Sequence, residues 1–202
     1  MTLLANHPER ADISAQLRKN IVLRRLAQDS FAELEPLLSV VDYRKADVLL
    51  TQGAHDMEQY FVIDGVLKRV VSNPDGKEMI LRFAAEDDMD TSYAAWRLRT
   101  PAPYSIRAVT RARVAKLPLP QWAEFLDGHP DLKEDFEYEV MHLMSEVMAH
   151  TITLHLLDAP GRVHRFVRKH PELAERVPKK ELASYLNLSA ETLSRLKHAG
   201  KI

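Results

Sequence analysis

Residues 49–83 read LLTQGAHDMEQYFVIDGVLKRVVSNPDGKEMILRF, and this stretch decides the fold class. It holds three short β-rich runs, which are QYFVID (59–64), VLKRVV (66–71) and EMILRF (78–83). Turn-forming residues separate them, with Asp64–Gly65 after the first run and Asn73–Gly76 after the second. Because an Asp-Gly pair tolerates the positive φ of a tight turn, the second break predicts a β-hairpin.

The same pattern extends from about Val40 to Leu119. Further β-rich runs are VLLTQ (48–52), YSIRAVT (104–110) and RVAKLPL (113–119). Many short strands joined by regular turns are typical of an all-β sandwich or barrel. Before this region the apolar positions follow helical spacing, so the β domain is predicted to carry helices at its N-terminal end.

A long helix is predicted from Asp131 to about Leu157, where Pro and Gly are absent. One apolar stripe along it recurs at spacings of three and four residues and is assigned to a dimer interface: Phe136, Val140, Leu143, Val147, Thr151 and Leu154. Met141, Met144 and Met148 mark a second apolar face. We expect one face to pack on its own domain and the other on the same helix of a second subunit. The alternative is a long helix buried within one domain.

Two short helices joined by a tight turn are predicted near the C-terminal end. Asp158–Gly161 interrupts the long helix, and a further helix is expected over Arg162–His170. Asn187 suits the left-handed conformation that ends a helix, and Ser189 suits the start of the next one. Helix, turn and helix within about 20 residues is typical of a helix-turn-helix.

Composition and charge exclude several classes of protein. The 202 residues are 46% hydrophobic and 28% charged, which is typical of a globular protein, and Cys is absent. The lack of Cys rules out disulfides, thiolate zinc sites and cysteine-ligated iron–sulfur clusters. Residues 161–202 carry 10 Lys and Arg against 4 Asp and Glu, whereas the whole chain has a net charge of −1. This asymmetry predicts a polyanion-binding module joined to an acidic domain, with chance clustering as the alternative.

The order of these elements resembles the Crp–Fnr superfamily of bacterial transcription regulators. The segment GKEMIL (76–81), the turn Ile63–Gly65 and the tail ELASYLNLSAETLSRL (181–196) carry the resemblance. It implies an α+β fold with an N-terminal double-stranded β-roll of the cupin-like jelly-roll type, a long dimerisation helix and a C-terminal helix-turn-helix. The corresponding domains are residues 1–130, 131–158 and 159–202.

The resemblance further implies a homodimeric, sequence-specific DNA-binding regulator. Glu191, Ser194 and Arg195 match the Fnr-like pattern E-x-x-S-R of the recognition helix. Arg can donate two hydrogen bonds to guanine, and Glu can accept one from cytosine. The resemblance implies palindromic DNA with half-sites like TTGA. The other candidates for DNA contact are Ser189, Thr192, Lys179, Lys180 and Lys197. RNA polymerase is a further candidate partner.

The effector pocket departs from the pattern of the superfamily. Its cyclic-nucleotide binders carry a Gly-Glu pair and then an Arg-Ser or Arg-Thr pair, whereas the segments here read EDDMDTSY (86–93) and TPAPYSIRA (100–108). A cyclic phosphate would face acidic side chains without a matched cation, which is unfavourable. We therefore expect no cofactor and no binding of cyclic AMP. The residues left to form a pocket for another effector are Arg82, Thr91, Ser92, Tyr104 and Arg107.

Two other functions remain open. Only five residues follow Lys197, so the β-hairpin wing of the superfamily is expected to be absent, and the chain can be a small-ligand module with a vestigial DNA-binding domain. A cupin-like metalloenzyme would need several His ligands on the β-roll, but His55 is the only His between residues 40 and 120, so neither enzyme activity nor a metal site is expected. The N-terminal sequence and the lack of a long apolar run predict a cytoplasmic protein without a membrane span.

Overall fold

The computed structural model describes residues 1–198 of the backbone, and side chains as far as Leu196. The strands are β1 (Thr2–Leu3), β2 (Ser39–Tyr43), β3 (Val48–Leu50), β4 (Glu58–Asp64), β5 (Leu67–Ser72), β6 (Glu78–Ala84), β7 (Met89–Thr91), β8 (Ser105–Ala108) and β9 (Ala112–Pro118). The helices are α1 (Arg10–Leu17), α2 (Gln28–Leu34), α3 (Tyr93–Arg97), α4 (Leu119–Asp127), α5 (Pro130–Leu156), α6 (Ala159–Lys169), α7 (Pro171–Arg176), α8 (Lys179–Tyr185) and α9 (Ala190–His198). Short 3₁₀ turns lie at Leu4–Asn6, Leu23–Arg25 and Glu35–Leu37.

The strands form two antiparallel sheets, which together are the predicted β-roll. Their orders are β1-β2-β9-β4-β7 and β3-β8-β5-β6. The predicted hairpin joins β5 to β6, with Gly76 at a φ of 79° and the Asn73 N–H donating to the Lys77 carbonyl at 3.0 Å. Gly65 is required at the preceding turn, because a Cβ there would lie 2.3 Å from the Arg111 carbonyl oxygen.

A single large apolar core joins the sheets to the N-terminal helices, α4 and the first half of α5. Trp122 of α4 is fully buried at its centre. Its ring meets Phe61 of β4 edge-on, with centroids 5.5 Å apart, and Phe136 of α5 in the same way at 5.4 Å. These contacts attach the start of the long helix firmly to the β-roll.

The dimer interface that the sequence predicted is partly wrong. Phe136 has no exposed surface and Leu143 is only 5% exposed, because both pack into the core of their own β-roll. Val140, Val147 and Leu154 are half-buried, and Thr151 is exposed. The spacing identified a real apolar stripe, but this stripe faces largely inward, toward the domain that carries the helix.

The exposed apolar stripe of α5 lies on the other side of the helix, along the face that the methionines mark. Its residues are between 50% and 77% exposed and recur at spacings of three and four: Tyr138, Met141, Met144, Met148, Ile152 and Leu156. A continuous apolar stripe along an exposed helix marks a surface for association.

Strand β7 and helix α3 are among the elements of the β-roll that were not expected from the sequence. Strand β7 overlaps the end of the acidic segment 86–90, and α3 begins two residues after the strand ends. Met89, Asp90 and Thr91 are all buried, and β7 pairs with the edge of β4. A segment with this many carboxylates is expected to form a solvated loop. Its burial therefore requires partners elsewhere in the fold.

The C-terminal helices form the predicted helix-turn-helix. The side chain of Asp158 caps α6 by accepting from the Gly161 N–H at 2.9 Å. Asn187, between α8 and α9, has a φ of 52°, as the sequence predicted. The hydroxyl of Ser189 accepts from the Thr192 N–H at 3.0 Å and caps the start of α9.

Within residues 1–198, none of the helices is both long enough and apolar enough to cross a bilayer.

Candidate DNA interface and effector site

Helix α9 turns one side inward and presents the charged side chains of Glu191 and Arg195 to solvent. Leu193 is 6% exposed and packs into the apolar cluster of the C-terminal helices. The side chains of Glu191 and Arg195 remain 81% and 71% exposed. Their charged groups are 4.0 Å apart, and the Arg195 guanidinium also donates to the Thr192 hydroxyl at 3.4 Å. These contacts are weak, so neither side chain is held firmly in place.

The other predicted DNA contacts differ in how available they are. Lys179 and Lys180 are exposed at the start of α8. The hydroxyls of Ser189 and Thr192 lie 2.9 Å apart and take part in the cap of α9, so their first role is structural. Ser194 is half-buried. The side chain of Lys197 lies outside the described residues.

The predicted effector residues only partly come together. Tyr104, Thr91 and Ser92 lie buried between the two sheets, and the Tyr104 hydroxyl donates to the Thr91 carbonyl at 2.6 Å. Arg82 reaches the same region and donates to the Met89 carbonyl at 3.0 Å. The assignment of Arg107 is wrong: its side chain forms an ion pair with Glu78 at 2.5 Å and points away from this group.

The residue that organises this buried polar group, Arg69, was missed by the sequence analysis. Its Nε donates to a carboxylate oxygen of Asp90 at 2.6 Å, and a second nitrogen donates to the Thr91 carbonyl at 3.0 Å. The guanidinium also lies 4.6 Å from the ring centroid of Tyr104. The signal in the sequence was an Arg in the middle of the apolar strand VLKRVV, where a charge needs a buried partner.

The sequence led us to expect that a phosphate in this region would face acidic side chains without a matched cation, but two arginines lie there, each paired with a carboxylate. Arg69 pairs with Asp90, and Arg82 pairs with Asp88 at 2.6 Å. Burial raises the pKa of Asp88 above its ordinary value, and the nearby Arg82 charge only partly opposes this effect. The polar interior of the β-roll is thus occupied by carboxylates of the chain itself, in direct contact with the arginines that an anionic ligand would need.

The helix-turn-helix is docked on the β-roll. Lys68 of β5 pairs with Glu181 of α8 at 2.7 Å, and Arg176 of α7 makes two contacts of 2.6 Å with Glu86. A second apolar cluster lies between the β-roll and the C-terminal helices. In it, the ring centroids of Phe83 from β6 and Tyr185 from α8 are 5.2 Å apart. The structure therefore holds α9 in a defined position relative to the β-roll.

Among the described residues, no cluster of three or more His, Asp or Glu side chains is arranged to hold a metal ion.

Comparisons with known proteins agree with this architecture. A family profile described as the cyclic nucleotide-binding domain matches residues 40–129. The nitrogen fixation regulation protein FixK of Bradyrhizobium diazoefficiens is 25% identical over 190 residues, covering 89% of this chain and 78% of that protein. The cAMP-activated global transcriptional regulator CRP of Salmonella typhimurium is 20% identical over 164 residues, covering 76% and 78%. These matches support the resemblance of the chain to the regulators of the Crp–Fnr superfamily.

Solved structures of other proteins share the fold of this chain. FixK2 from Bradyrhizobium japonicum has a TM-score of 0.70 at 18% identity, covering 81% of this chain and 86% of that one. The c-di-GMP responsive regulator CLP from Xanthomonas campestris has a TM-score of 0.71 at 15% identity, covering 86% and 92%. At these identities the likeness concerns the fold alone, and it confirms the predicted α+β class.

Proposed function

We propose that the protein is a homodimeric, sequence-specific DNA-binding transcription regulator of the cytoplasm, without enzyme activity and with RNA polymerase as a further partner. The observation that carries the proposal is the exposed pair Glu191 and Arg195 on a helix whose opposite side is held by buried Leu193. A helix anchored in this way can enter the major groove with its charged side chains toward the bases. The proposed units are the β-roll to residue 130, the dimerisation helix to residue 158 and the DNA-binding domain beyond.

The distribution of charge supports DNA as the ligand of the C-terminal unit. Residues 161–202 contain 10 Lys and Arg against 4 Asp and Glu. Lys179 and Lys180 lie exposed at the start of α8, the helix that precedes the turn to α9. Cations in this position can bind phosphates on either side of the groove and set the orientation of the helix, whereas the bases are read by α9.

A second copy of the chain is the proposed occupant of the exposed stripe on α5. The stripe includes Met141, Met144, Met148 and Ile152, each at least 50% exposed, and it lies opposite the side that is buried against the β-roll. Two such stripes related by a two-fold axis would bury each other and close the assembly. The axis would also present two copies of α9 about 34 Å apart, one turn of DNA.

Light scattering on the full chain tests the dimer. We expect twice the mass of a single chain, and Met148→Glu should give a monomer because it buries a charge in the seam. Leu98→Glu is the matched control, since Leu98 is 73% exposed outside α5 and its change should leave the dimer intact. A monomeric wild type, or equal effects of both variants, contradicts this arrangement.

The β-roll is proposed not to bind cyclic AMP. Asp90 already neutralises Arg69 at 2.6 Å, and neither side chain is more than 3% exposed. A cyclic phosphate would have to displace a buried carboxylate and leave it without a partner, which is costly. Calorimetry should therefore detect no binding tighter than about 1 mM, or about −4 kcal/mol. Micromolar binding would contradict this part of the proposal.

Selection from random double-stranded DNA tests the main function. The enriched sites should be palindromes with half-sites resembling TTGA, spaced by one helical turn, because a two-fold dimer reads the same bases twice. Enrichment without two-fold symmetry would contradict readout by a dimer. A failure to enrich any sequence would favour the alternative, a small-ligand binding module with a vestigial DNA-binding domain.

A further inference from the structure

A small cleft lies where three parts of the molecule meet. Strand β6 forms one wall, α5 the second, and helices α6, α7 and α8 the third. Its volume is about 50 Å³. A single water needs roughly 10–15 Å³ on this scale, so the cleft can admit a group of a few heavy atoms. It adjoins the buried group around Arg69, with which it shares Arg82, and none of its described lining residues lies on α9.

The side chains that line this interdomain cleft carry an excess of positive charge. Four cations line it, which are Arg82, Arg162, Arg165 and Lys169, and the one carboxylate among the described lining residues is Glu146. Lys169 neutralises Glu146 at 2.6 Å, and Arg82 is paired with Asp88. The two remaining arginines have no carboxylate partner within the described part of the chain.

Arg162 and Arg165 differ in how firmly they are held. Arg162 donates to the carbonyls of Leu157 and Leu186, at 2.9 and 3.2 Å, so its position is fixed while its charge stays uncompensated. Arg165 makes no ion pair or hydrogen bond with the described residues, and it is exposed at the edge of the cleft. One guanidinium is therefore preorganised, and the other is free to close over a bound group.

Two neutral histidines complete the cleft. Burial, together with the charges of Lys169, Arg162 and Arg165, lowers the pKa of His150 to about 4. Burial and the charges of Lys169 and Arg82 also lower the pKa of His170, although Glu146 opposes this effect. Because several cations act on the same two imidazoles, the electrostatic field of the cleft is positive.

Arg82 supplies a second, independent sign that an acceptor is missing. Its side chain is 8% exposed and lines the cleft, yet its Nε has no hydrogen-bond partner among the described residues. A buried donor without an acceptor costs roughly 1–3 kcal/mol, so natural proteins rarely leave one unmatched.

We propose that the interdomain cleft binds an oxyanion, a phosphate or the phosphoryl group of a small molecule, between Arg162 and Arg165. Guanidinium groups bind such oxygens with two charge-assisted hydrogen bonds. The group would connect α6 of the DNA-binding domain to α5 and β6 of the β-roll, and so link a ligand to the position of the helix-turn-helix. This site does not depend on the proposed DNA readout, because none of its residues lies on α9.

The test is a titration of the full-length protein, without DNA, followed by NMR of the histidine side chains. Inorganic phosphate and adenosine 5′-monophosphate are compared with chloride at equal ionic strength. We expect a saturable shift of the His150 signals and a rise in the pKa of His150, since a bound anion offsets the nearby cations. Stronger binding of the nucleotide would identify a phosphoryl group on a larger molecule, and equal binding would identify free phosphate.

Arg165→Gln should weaken binding at least tenfold. Arg168→Gln is the matched control, because Arg168 is an exposed residue of the same helix that does not line the cleft. Equal losses in both variants, or no saturable shift with either anion, overturn the proposal. If neither anion binds and Arg165→Gln instead weakens DNA binding, the cations of α6 serve DNA, and the proposal is likewise overturned.

Discussion

Two pairs of Arg with an acidic residue occupy opposite environments in this molecule. Arg69 and Asp90 lie inside the β-roll, with side chains 3% and 0% exposed and charged groups 2.6 Å apart. Arg195 and Glu191 lie on α9, with side chains 71% and 81% exposed and charged groups 4.0 Å apart. The chemical groups are nearly the same, but water reaches only the second pair.

Burial decides whether such a pair supports the fold or remains available to a ligand. A buried pair cannot be separated without leaving a charge in an apolar medium, so it is effectively part of the core. An exposed pair contributes little to stability, because water and salt screen it, and its members can exchange partners at low cost. The first pair is part of the interior of the β-roll, and the second is the pair that we propose for DNA readout.

Breaking the buried pair should have the largest effect. Asp90→Ala leaves the Arg69 charge buried without its partner, so we expect the free energy of unfolding to fall by about 3–5 kcal/mol. Urea unfolding followed by circular dichroism measures this loss. Asp56→Ala is the control, since Asp56 is exposed in a nearby loop and should change stability little.

A double variant tests whether the loss of stability comes from the unpaired charge of Arg69. Arg69→Met combined with Asp90→Leu removes both charges and fills similar volumes, so it should recover most of the stability that Asp90→Ala loses. If Asp90→Ala costs no more than Asp56→Ala, the pair does not hold the β-roll together as described.

Removing the exposed arginine should act on DNA binding. Arg195→Ala is expected to cost about 1–3 kcal/mol on the best site and to relax the preference at one G·C pair. Fluorescence anisotropy with matched and mismatched duplexes measures both effects. Arg168→Ala removes the same charge from α6 and should leave sequence preference unchanged. An unaltered preference in Arg195→Ala would exclude this residue from base readout.

The contact between the β-roll and the C-terminal helices is neither as buried as the Arg69 pair nor as exposed as the Arg195 pair. The stability of the protein should depend on pH through this contact. His150 stacks on Tyr185 with ring centroids 3.8 Å apart, and its pKa is lowered to about 4, first by burial and then by nearby cations. The unfolded chain, with a pKa near 6.5, binds the proton more readily, so protonation favours unfolding. Stability should be complete above pH 6.5 and fall as the pH approaches 4.

The variant His150→Phe measures how much the protonation of His150 contributes to the pH dependence of stability. It keeps a ring against Tyr185 but cannot take up a proton, so its urea midpoint should fall less than that of the wild type between pH 6.5 and 4. His142→Phe is the control, because His142 is exposed on the same helix. Identical pH profiles for wild type and His150→Phe would mean that His150 is not shielded at the domain contact.

The smallest expected effect is that of the exposed pair on stability. Glu191→Gln should change the free energy of unfolding by less than about 0.5 kcal/mol, because an exposed pair four residues apart on a helix is worth little. Urea unfolding of the variant checks this value directly. A loss above about 1 kcal/mol would show that the α9 pair carries structure, and the contrast with Arg69 and Asp90 would fail.

Local patterns in the sequence were sufficient for the elements that depend on near neighbours. The Asp-Gly pair before Lys77 predicted the β5–β6 hairpin, and Asn187 with Ser189 predicted the turn between α8 and α9. The period of apolar residues predicted the long helix close to its observed range, Pro130–Leu156. Each of these features follows from backbone preferences and periodicity, which act over a few residues.

Only the tertiary structure decided which surfaces are buried and which charges meet. Arg69 and Asp90 are 21 residues apart in the chain, so no local pattern pairs them, and without that pairing strand β7 reads as an acidic loop. The two apolar faces of α5 have the same period, and only the packing of Phe136 against Trp122 and Tyr93 distinguishes the inner face from the methionine face. Sequence patterns state that a residue needs a partner, whereas the choice of partner depends on contacts between distant segments.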